Sequence, residues 1–245
     1  MNSSHHILAF SSSRSGNSGY LETAVPVIKR FLDSKTTNIA FIPFASTDRN
    51  YKEYAIRVAE GLKDLSLYVN CALPENAKSI IEESHAIMIG GGNTFKLIHD
   101  LYELDLLDLI HKKVGNGTPY ISWSAGSNIL SPTIATTNDM PVIEPKSFKA
   151  LNIFSFQTNP HYFNQKTEGF NGETRNQRLE EYLEINPAGK IIGLPEGTGL
   201  QLENQLLIFF GEGSGVLFER KEGNFIKTQI KPGDNLSFLL QSQNK

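Results

Sequence analysis

Short apolar runs alternate with amphipathic stretches through the first half of the chain. The apolar runs predict buried strands at residues 7–10, 39–43, 66–71, 86–89 and 119–122. Helical spacing of the apolar residues between them predicts helices at residues 21–32, 51–62, 78–83 and 104–114. Strands that alternate with helices indicate a parallel sheet with helices on both faces, and the carboxyl ends of its strands share one edge.

The pattern changes in the second half of the chain. Short apolar strands are predicted there at residues 191–194, 200–202, 206–210, 216–220 and 225–230. Turns that contain glycine or asparagine separate them, a spacing typical of antiparallel hairpins. A helix at residues 174–183 precedes them. We therefore expect one α/β domain over residues 1–245 with one mixed sheet, mostly parallel and flanked by helices, with short antiparallel strands near the C-terminus.

Charge and composition narrow the classes of function. The 245 residues include 23 basic and 26 acidic side chains, and this net charge of −3 gives no electrostatic footprint for nucleic acid or an anionic membrane. No apolar run approaches the ~18–20 residues that span a bilayer, and the first six residues lack the features of a signal peptide. A lone cysteine, Cys71, fits a reducing compartment. We expect a cytoplasmic monomer or homodimer that binds neither nucleic acid nor membrane.

A serine stands where the strand predicted at residues 119–122 passes into a predicted helix. Ser124 is followed by Ala125 and Gly126, which is typical of a nucleophile elbow that lifts the hydroxyl above the sheet edge. The helix dipole and the N–H of the next residue would then face a developing oxyanion. The usual pattern is G-x-S-x-G, and Ser122 fills its first glycine position here. A serine that only caps a core helix is the alternative interpretation.

Three glycines, residues 90–92, follow the strand predicted at residues 86–89. Glycine lets the backbone approach a ligand closely and exposes N–H groups. If this strand neighbours that of Ser124, the N–H of Gly92 could pair with the N–H of Ala125 around an oxyanion. A phosphate loop is a second interpretation, although the sequence lacks both common phosphate-loop patterns. A plain tight turn is the third.

A serine hydroxyl needs a positioned base before it can act as a nucleophile. His161 is the best of the six histidines, because it follows an apolar segment at residues 154–156 and lies in a loop at a strand end, where catalytic groups concentrate. The other histidines fall in the polar N-terminus or beside amphipathic helices. Two carboxylates could orient the base, Asp139 and Glu196, and composition and spacing do not choose between them.

Seven segments together resemble the serine-peptidase family of the α-aspartyl dipeptidases, to which the cyanophycinases also belong. In chain order they are GGGNTF at residues 90–95, WSAG at 123–126, PTI at 132–134, TTNDMP at 136–141, NPH at 159–161, GETR at 172–175 and GLPEG at 193–197. The set is specific because the order and spacing of the segments match as well. Ser122, in place of the usual glycine, and Ser127, in place of the usual alanine, depart from the pattern.

The resemblance implies a fold related to class I glutamine amidotransferase domains. It implies Ser124 as the nucleophile and His161 as the general base. It also implies that the N–H groups of Gly92 and Ala125 form the oxyanion hole.

The resemblance leaves the third member of the triad divided between two acids. The family's motif points to Asp139, and its Ser-His-Glu arrangement points to Glu196. We favour Glu196 as the direct partner of His161, with Asp139 organising the loop or the amine of the substrate.

An aspartyl side chain in the site needs a cation. Arg175 belongs to the GETR segment and is expected to bind that carboxylate through a bidentate contact. Arg178 shares its predicted helix face, and the alternative is that both arginines pair with Glu180 or Glu181 on a solvated helix. Asn93 and Thr94 of the GGGNTF segment are further candidates for substrate binding.

The expected activity is hydrolysis of α-aspartyl dipeptides after an N-terminal aspartate, through an acyl-enzyme on Ser124. The sequence shows no metal-ligand spacing, so we expect neither a metal nor another cofactor. One alternative is a β-aspartyl peptidase of the same family, acting on isoaspartyl or cyanophycin-like bonds. The other is a catalytically silent binding domain on an amidotransferase-like fold.

Overall fold

The computed structural model describes residues 5–165, 168–169 and 171–240. The strands in chain order are β1 His6–Phe10, β2 Asn38–Ile42, β3 Tyr68–Cys71, β4 Ala86–Ile89, β5 Tyr120–Trp123, β6 Gln157–Pro160, β7 Lys190–Leu194, β8 Thr198–Glu203, β9 Leu206–Gly211, β10 Gly215–Lys221 and β11 Asn224–Ile230. The helices are α1 Val25–Phe31, α2 Tyr51–Gly61, α3 Ala77–Glu83, α4 Thr94–Glu103, α5 Leu107–Gly115, α6 Ala125–Asn128 and α7 Arg175–Ile185, with a 3₁₀ turn at Ser237–Leu239.

The main sheet has seven strands in the order β3-β2-β4-β5-β1-β8-β9. The five strands from the first half of the chain are parallel, and β8 and β9 continue the sheet in antiparallel pairing. This confirms the predicted mostly parallel α/β sheet. Strands β4 and β5 are buried along their whole length, as continuous apolar runs in a parallel sheet require.

The pleat of β1 divides the core between the two faces of the main sheet. Ile7 and Ala9 belong to the larger apolar cluster on one face, and Leu8 and Phe10 belong to the cluster on the other. Successive side chains of a strand point to opposite faces, so one four-residue run serves both layers. Burying an aliphatic side chain of this size contributes about 1.5–3 kcal/mol.

A second sheet of four strands, in the order β11-β10-β7-β6, carries the rest of the second half. Strands β6 and β7 pair in parallel, and the others are antiparallel. The expectation of one mixed sheet was therefore wrong. The chain passes from β7 in the second sheet to β8 in the main sheet through only three residues, 195–197. An apolar run predicts a strand but does not say which strand it pairs with.

Helix α1 begins later than its apolar spacing predicts. It starts at Val25 with Pro26 in its first turn, where a missing N–H costs nothing. Leu21, the predicted start, instead has a φ of 58°, which a helix does not allow. No helix in the described part of the chain is long and apolar enough to cross a membrane.

Candidate active site

Ser124 directly follows β5 and sits in a strained turn. Its φ is 54° and its ψ is −116°, in the left-handed half of conformational space that residues with a side chain rarely adopt. Its N–H donates to the carbonyl oxygens of Phe10 and Ser11, at 3.2 and 3.1 Å. These bonds anchor the turn to the end of the neighbouring strand β1, so the predicted elbow geometry is present at Ser124.

Two glycines make room for this turn. A Cβ at Gly126 would lie 2.4 Å from the carbonyl oxygen of Ile89, at the end of β4. A Cβ at Gly91 would lie 2.9 Å from the Cβ of Ser124. The glycine segment at residues 90–92 therefore packs directly against the elbow, because β4 and β5 are neighbours in the sheet.

His161 follows β6 and also has a left-handed backbone, with a φ of 53°. Its Nε2 lies 2.9 Å from the Oγ of Ser124, which is hydrogen-bond distance. The histidine comes from the second sheet and the serine from the main sheet. The site is thus assembled where the ends of the two sheets meet.

Glu196 follows β7, the strand parallel to β6. Pro160 and Leu194 are paired at the ends of these two strands, so the residues that come next, including His161, enter the same region. The Oε1 of Glu196 lies 2.7 Å from the Nδ1 of His161. Their side chains are 42% and 54% exposed, so solvent screens the attraction between their charges.

Asp139 has a different set of partners. Its Oδ2 accepts hydrogen bonds from the N–H and the hydroxyl of Thr94, at 2.7 and 2.6 Å, and from the hydroxyl of Thr137 at 3.1 Å. Thr94 is the first residue of α4, and a carboxylate at a helix N-terminus is stabilising. Asp139 therefore ties its own loop to the start of α4, beside the pocket of Ser124.

The side chain of Asn93 caps α4. Its Oδ1 accepts from the N–H of Lys96 at 3.0 Å, and its Nδ2 donates to the carbonyl of Met140 at 2.8 Å. Both of its polar atoms therefore have structural partners. Thr94, the other candidate for substrate binding in this segment, lines the pocket of Ser124 while it holds Asp139.

The two N–H groups predicted to form the oxyanion hole belong to Gly92 and Ala125. Among the described residues, neither N–H has a protein acceptor. Gly92 has a φ of 139°, and a Cβ there would lie 2.3 Å from the carbonyl oxygen of Ala45, so only glycine fits. Helix α6 spans only Ala125–Asn128, so its contribution comes from local N–H groups rather than a long helix dipole.

A small pocket opens beside the serine. Its lining residues are Thr94, Ser124, Ala125, Asn128, Thr137, Asn138, Asp139, Pro160 and His161. Over the described ranges, no group of three or more histidine, cysteine or acidic residues is placed to hold a metal ion. The chemistry that these side chains can perform is nucleophilic attack by a hydroxyl with a histidine as base.

Arg175 is the first residue of α7 and is half-buried. Burial and the neighbouring Arg178 lower the pKa of its guanidinium, and Tyr162, next to His161, acts in the opposite direction. Glu180 instead pairs with Lys227 at 2.7 Å. No carboxylate of the described residues lies within ion-pair distance of either arginine.

Comparison with known proteins agrees with this geometry. The sequence profile of peptidase family S51 matches residues 7–209 of this chain. The chain belongs to peptidase family S51. Two relatives named peptidase E extend the match: one from Nostoc sp. is 46% identical over 239 residues, covering 97% of this chain and 98% of the relative. The other, from Haemophilus influenzae, is 45% identical over 201 residues, covering 81% of this chain and 92% of the relative.

A solved structure supports the fold of this S51 peptidase. A crystal structure of a peptidase from an acI-B1 Actinobacterium superposes with a TM-score of 0.67 at 17% identity and covers 97% of this chain and 98% of that one. Family membership confirms the resemblance drawn from the seven segments and the expectation of a hydrolase of the peptidase class.

One residue of this S51 site was not identified from the sequence, because it lies outside the seven matching segments. Ser11 lies at the end of β1 and contacts the segments of all three proposed triad residues. The only sequence signal was its position, because it directly follows a buried strand, as Ser124 does.

Proposed function

We propose that this chain is a serine dipeptidase that hydrolyses α-aspartyl dipeptides after their N-terminal aspartate. The observation that carries the proposal is the hydrogen-bonded series Ser124–His161–Glu196, with 2.9 Å from Oγ to Nε2 and 2.7 Å from Nδ1 to Oε1. Membership of family S51 and the name of the relatives support the same reaction class.

The roles follow from the positions of the atoms. Glu196 accepts a hydrogen bond from the Nδ1–H of His161 and so holds the ring in the tautomer whose Nε2 is unprotonated, and this Nε2 takes the proton of the Ser124 hydroxyl. The oxygen of Ser124 attacks the peptide carbonyl, and His161 then protonates the departing amine. Water attacks the acyl-enzyme with His161 again as base, which releases aspartate and regenerates the serine.

The N–H groups of Gly92 and Ala125 are the proposed donors to the tetrahedral oxyanion. Their lack of protein acceptors among the described residues supports this role. Losing one such donor typically lowers kcat by about 10²- to 10³-fold.

Recognition of the substrate is assigned to residues on two sides of the triad. Arg175 would bind the carboxylate of the aspartyl side chain, and its half-buried guanidinium without an ion-pair partner in the described chain supports this. Asp139 would receive the free amine, since only its Oδ2 is engaged within the described protein. Thr94 and Asn93 would support the substrate indirectly, by fixing Asp139 and the glycine segment.

The remaining expectations concern the setting of the enzyme. We propose one peptidase domain over residues 1–245, acting on small peptides in the cytoplasm as a monomer or homodimer. The lone cysteine supports a reducing compartment. The weak net charge of −3 offers no electrostatic attraction for nucleic acid or an anionic membrane.

The decisive experiment is hydrolysis by the purified protein of Asp-Leu, Asn-Leu and β-Asp-Leu, with the Ser124→Ala variant as control. Cleavage of Asp-Leu alone, abolished in the variant, is the expected result. Cleavage of β-Asp-Leu instead would keep the mechanism and overturn the proposed substrate. A folded wild-type protein that cleaves none of the three would overturn the proposed activity in favour of a binding domain.

A further inference from the structure

Ser11 occupies the junction between the two sheets. It directly follows β1, which lies between β5 and β8 in the main sheet. Strand β5 leads into Ser124, and β8 begins two residues after Glu196. Ser11 is fully buried, with 0% of its surface exposed. A buried hydroxyl is costly unless its hydrogen-bonding capacity is used, so its partners show what the position is built for.

The backbone of Ser11 joins two of the segments that carry the triad. Its carbonyl oxygen accepts the N–H of Ser124 at 3.1 Å. Its own N–H donates to the carbonyl oxygen of Thr198 at 2.9 Å. Thr198 lies immediately beyond the three-residue segment 195–197 that carries Glu196.

The side chain of Ser11 makes two further hydrogen bonds. Its Oγ accepts the backbone N–H of His161 at 2.9 Å, and its hydroxyl donates to the carbonyl oxygen of Leu194 at 2.7 Å. Leu194 ends β7, just before the segment that carries Glu196. One buried hydroxyl thus links the backbone of the base to one end of the acid's segment, while the backbone of Ser11 binds the other end.

We propose that Ser11 is a positioning residue that holds the nucleophile, base and acid in register; this inference rests on the proposed function. Ser124 and His161 have φ values of 54° and 53°, and such backbones cost of order 1–3 kcal/mol each and persist only where their surroundings enforce them. Ser11 binds the backbone N–H of both strained residues. The side-chain bond to His161 is the part that mutation can remove.

Replacing Ser11 by alanine would remove both side-chain bonds and retain both backbone bonds. The partly buried N–H of His161 would then lose this acceptor, and the imidazole would no longer be held in line with Ser124 Oγ. Displacements near 1 Å cost about 100-fold in rate, so kcat is expected to fall about 10- to 100-fold. KM is expected to stay within about twofold, because Ser11 does not line the pocket.

Ser131→Ala is the matched control. Ser131 is also 0% exposed, and its Oγ accepts a backbone N–H of β6, that of Thr158, at 2.9 Å. Each variant therefore removes the hydroxyl that accepts one backbone N–H, that of Thr158 in β6 or that of His161 just after it, and both should lose comparable stability in urea unfolding. Only Ser11→Ala is expected to lower kcat. Ser11→Cys, which keeps a polar group but replaces the hydroxyl by a larger, weakly hydrogen-bonding thiol, should resemble Ser11→Ala.

Two measurements test the proposal on wild type and these variants. The first is kcat and KM on Asp-Leu, and the second is the rate at which a small fluorophosphonate modifies Ser124, which requires no peptide. We expect the kcat and the modification rate to fall together for both Ser11 variants and to keep their wild-type values in Ser131→Ala.

Folded Ser11 variants with wild-type rates, or an equal loss of rate in Ser131→Ala, would overturn the role of Ser11. A wild-type protein modified at Ser124 without cleaving Asp-Leu would overturn the proposed substrate alone, and the modification rates would still decide the role of Ser11. Folded wild-type protein that neither cleaves Asp-Leu nor is modified would overturn the nucleophile and, with it, the role of Ser11.

Discussion

The hydroxyl oxygens of Ser122 and Ser127, two fully buried residues on either side of Ser124, lie 3.0 Å apart. Ser127 also donates to the carbonyl oxygen of Phe10 at 2.7 Å, and that same carbonyl accepts the N–H of Ser124. These two serines are the two departures from the pattern that the seven segments otherwise match. Each departure supplies a hydrogen-bond partner for the other, so the elbow tolerates both together.

This pairing predicts coupled effects on stability. Ser127→Ala leaves the hydroxyl of Ser122 without this partner and should lower the free energy of unfolding by about 1–3 kcal/mol. In a double-mutant cycle with Ser122→Ala, the two losses should deviate from additivity by about 0.5 kcal/mol or more. Urea unfolding measures both quantities. Ser84, a buried serine at the end of α3, provides the control. The stability losses of Ser84→Ala and Ser127→Ala should be additive. Additive losses for Ser122 and Ser127 would contradict the pairing.

The two acids should respond differently to loss of charge. Glu196→Gln keeps its size but removes the carboxylate that faces Nδ1 of His161, and kcat should fall about 10³-fold or more. Asp139→Asn weakens the ties to Thr94 and should act mainly on KM and on stability. Steady-state kinetics on Asp-Leu separate the two effects. If Asp139→Asn lowers kcat more than Glu196→Gln does, the assignment of the acid is wrong.

The specificity for aspartate should depend on Arg175. Arg175→Met keeps the aliphatic bulk and removes the charge, so kcat/KM for Asp-Leu should fall about 10- to 100-fold while that for Asn-Leu changes little. Arg178→Met is the matched control, since Arg178 lies one turn further along α7 and is exposed. The ratio of kcat/KM for Asp-Leu to that for Asn-Leu should persist in the control. A ratio that survives Arg175→Met would rule out this role.

Cys71 is expected to take no part in catalysis. It ends β3 at the edge of the main sheet, three strands away from β5, and burial raises the pKa of its thiol to about 11. Only about one thiol in a thousand is then ionised at pH 8, so iodoacetamide should react slowly there and faster as the pH rises past 10. Cys71→Ser should retain full activity. Inactivation that keeps pace with alkylation of Cys71 would contradict this.

Short stretches of the sequence predict much of the local structure. The apolar runs at residues 86–89 and 119–122 predict strands that the structure places as neighbours. Gly126, two residues after Ser124, predicts the elbow because a tight turn needs a residue without a side chain. These features depend on neighbours in sequence, and the order of the seven segments was enough to predict the family.

Partners that are distant in sequence are selected by the packing of the folded chain. Asp139 and Glu196 were equivalent candidates by composition, and the parallel pairing of β6 with β7 brings Glu196 to His161 while a turn leads Asp139 to α4. The same holds for the division into two sheets and for Ser11, whose side-chain contact to His161 joins residues 150 positions apart. The physical reason is that strand pairing and buried hydrogen bonds are properties of the whole packed chain. Short stretches of the sequence were therefore enough to predict most strands, the elbow and the family, whereas tertiary packing brought Glu196 rather than Asp139 to His161 and placed Ser11 between them.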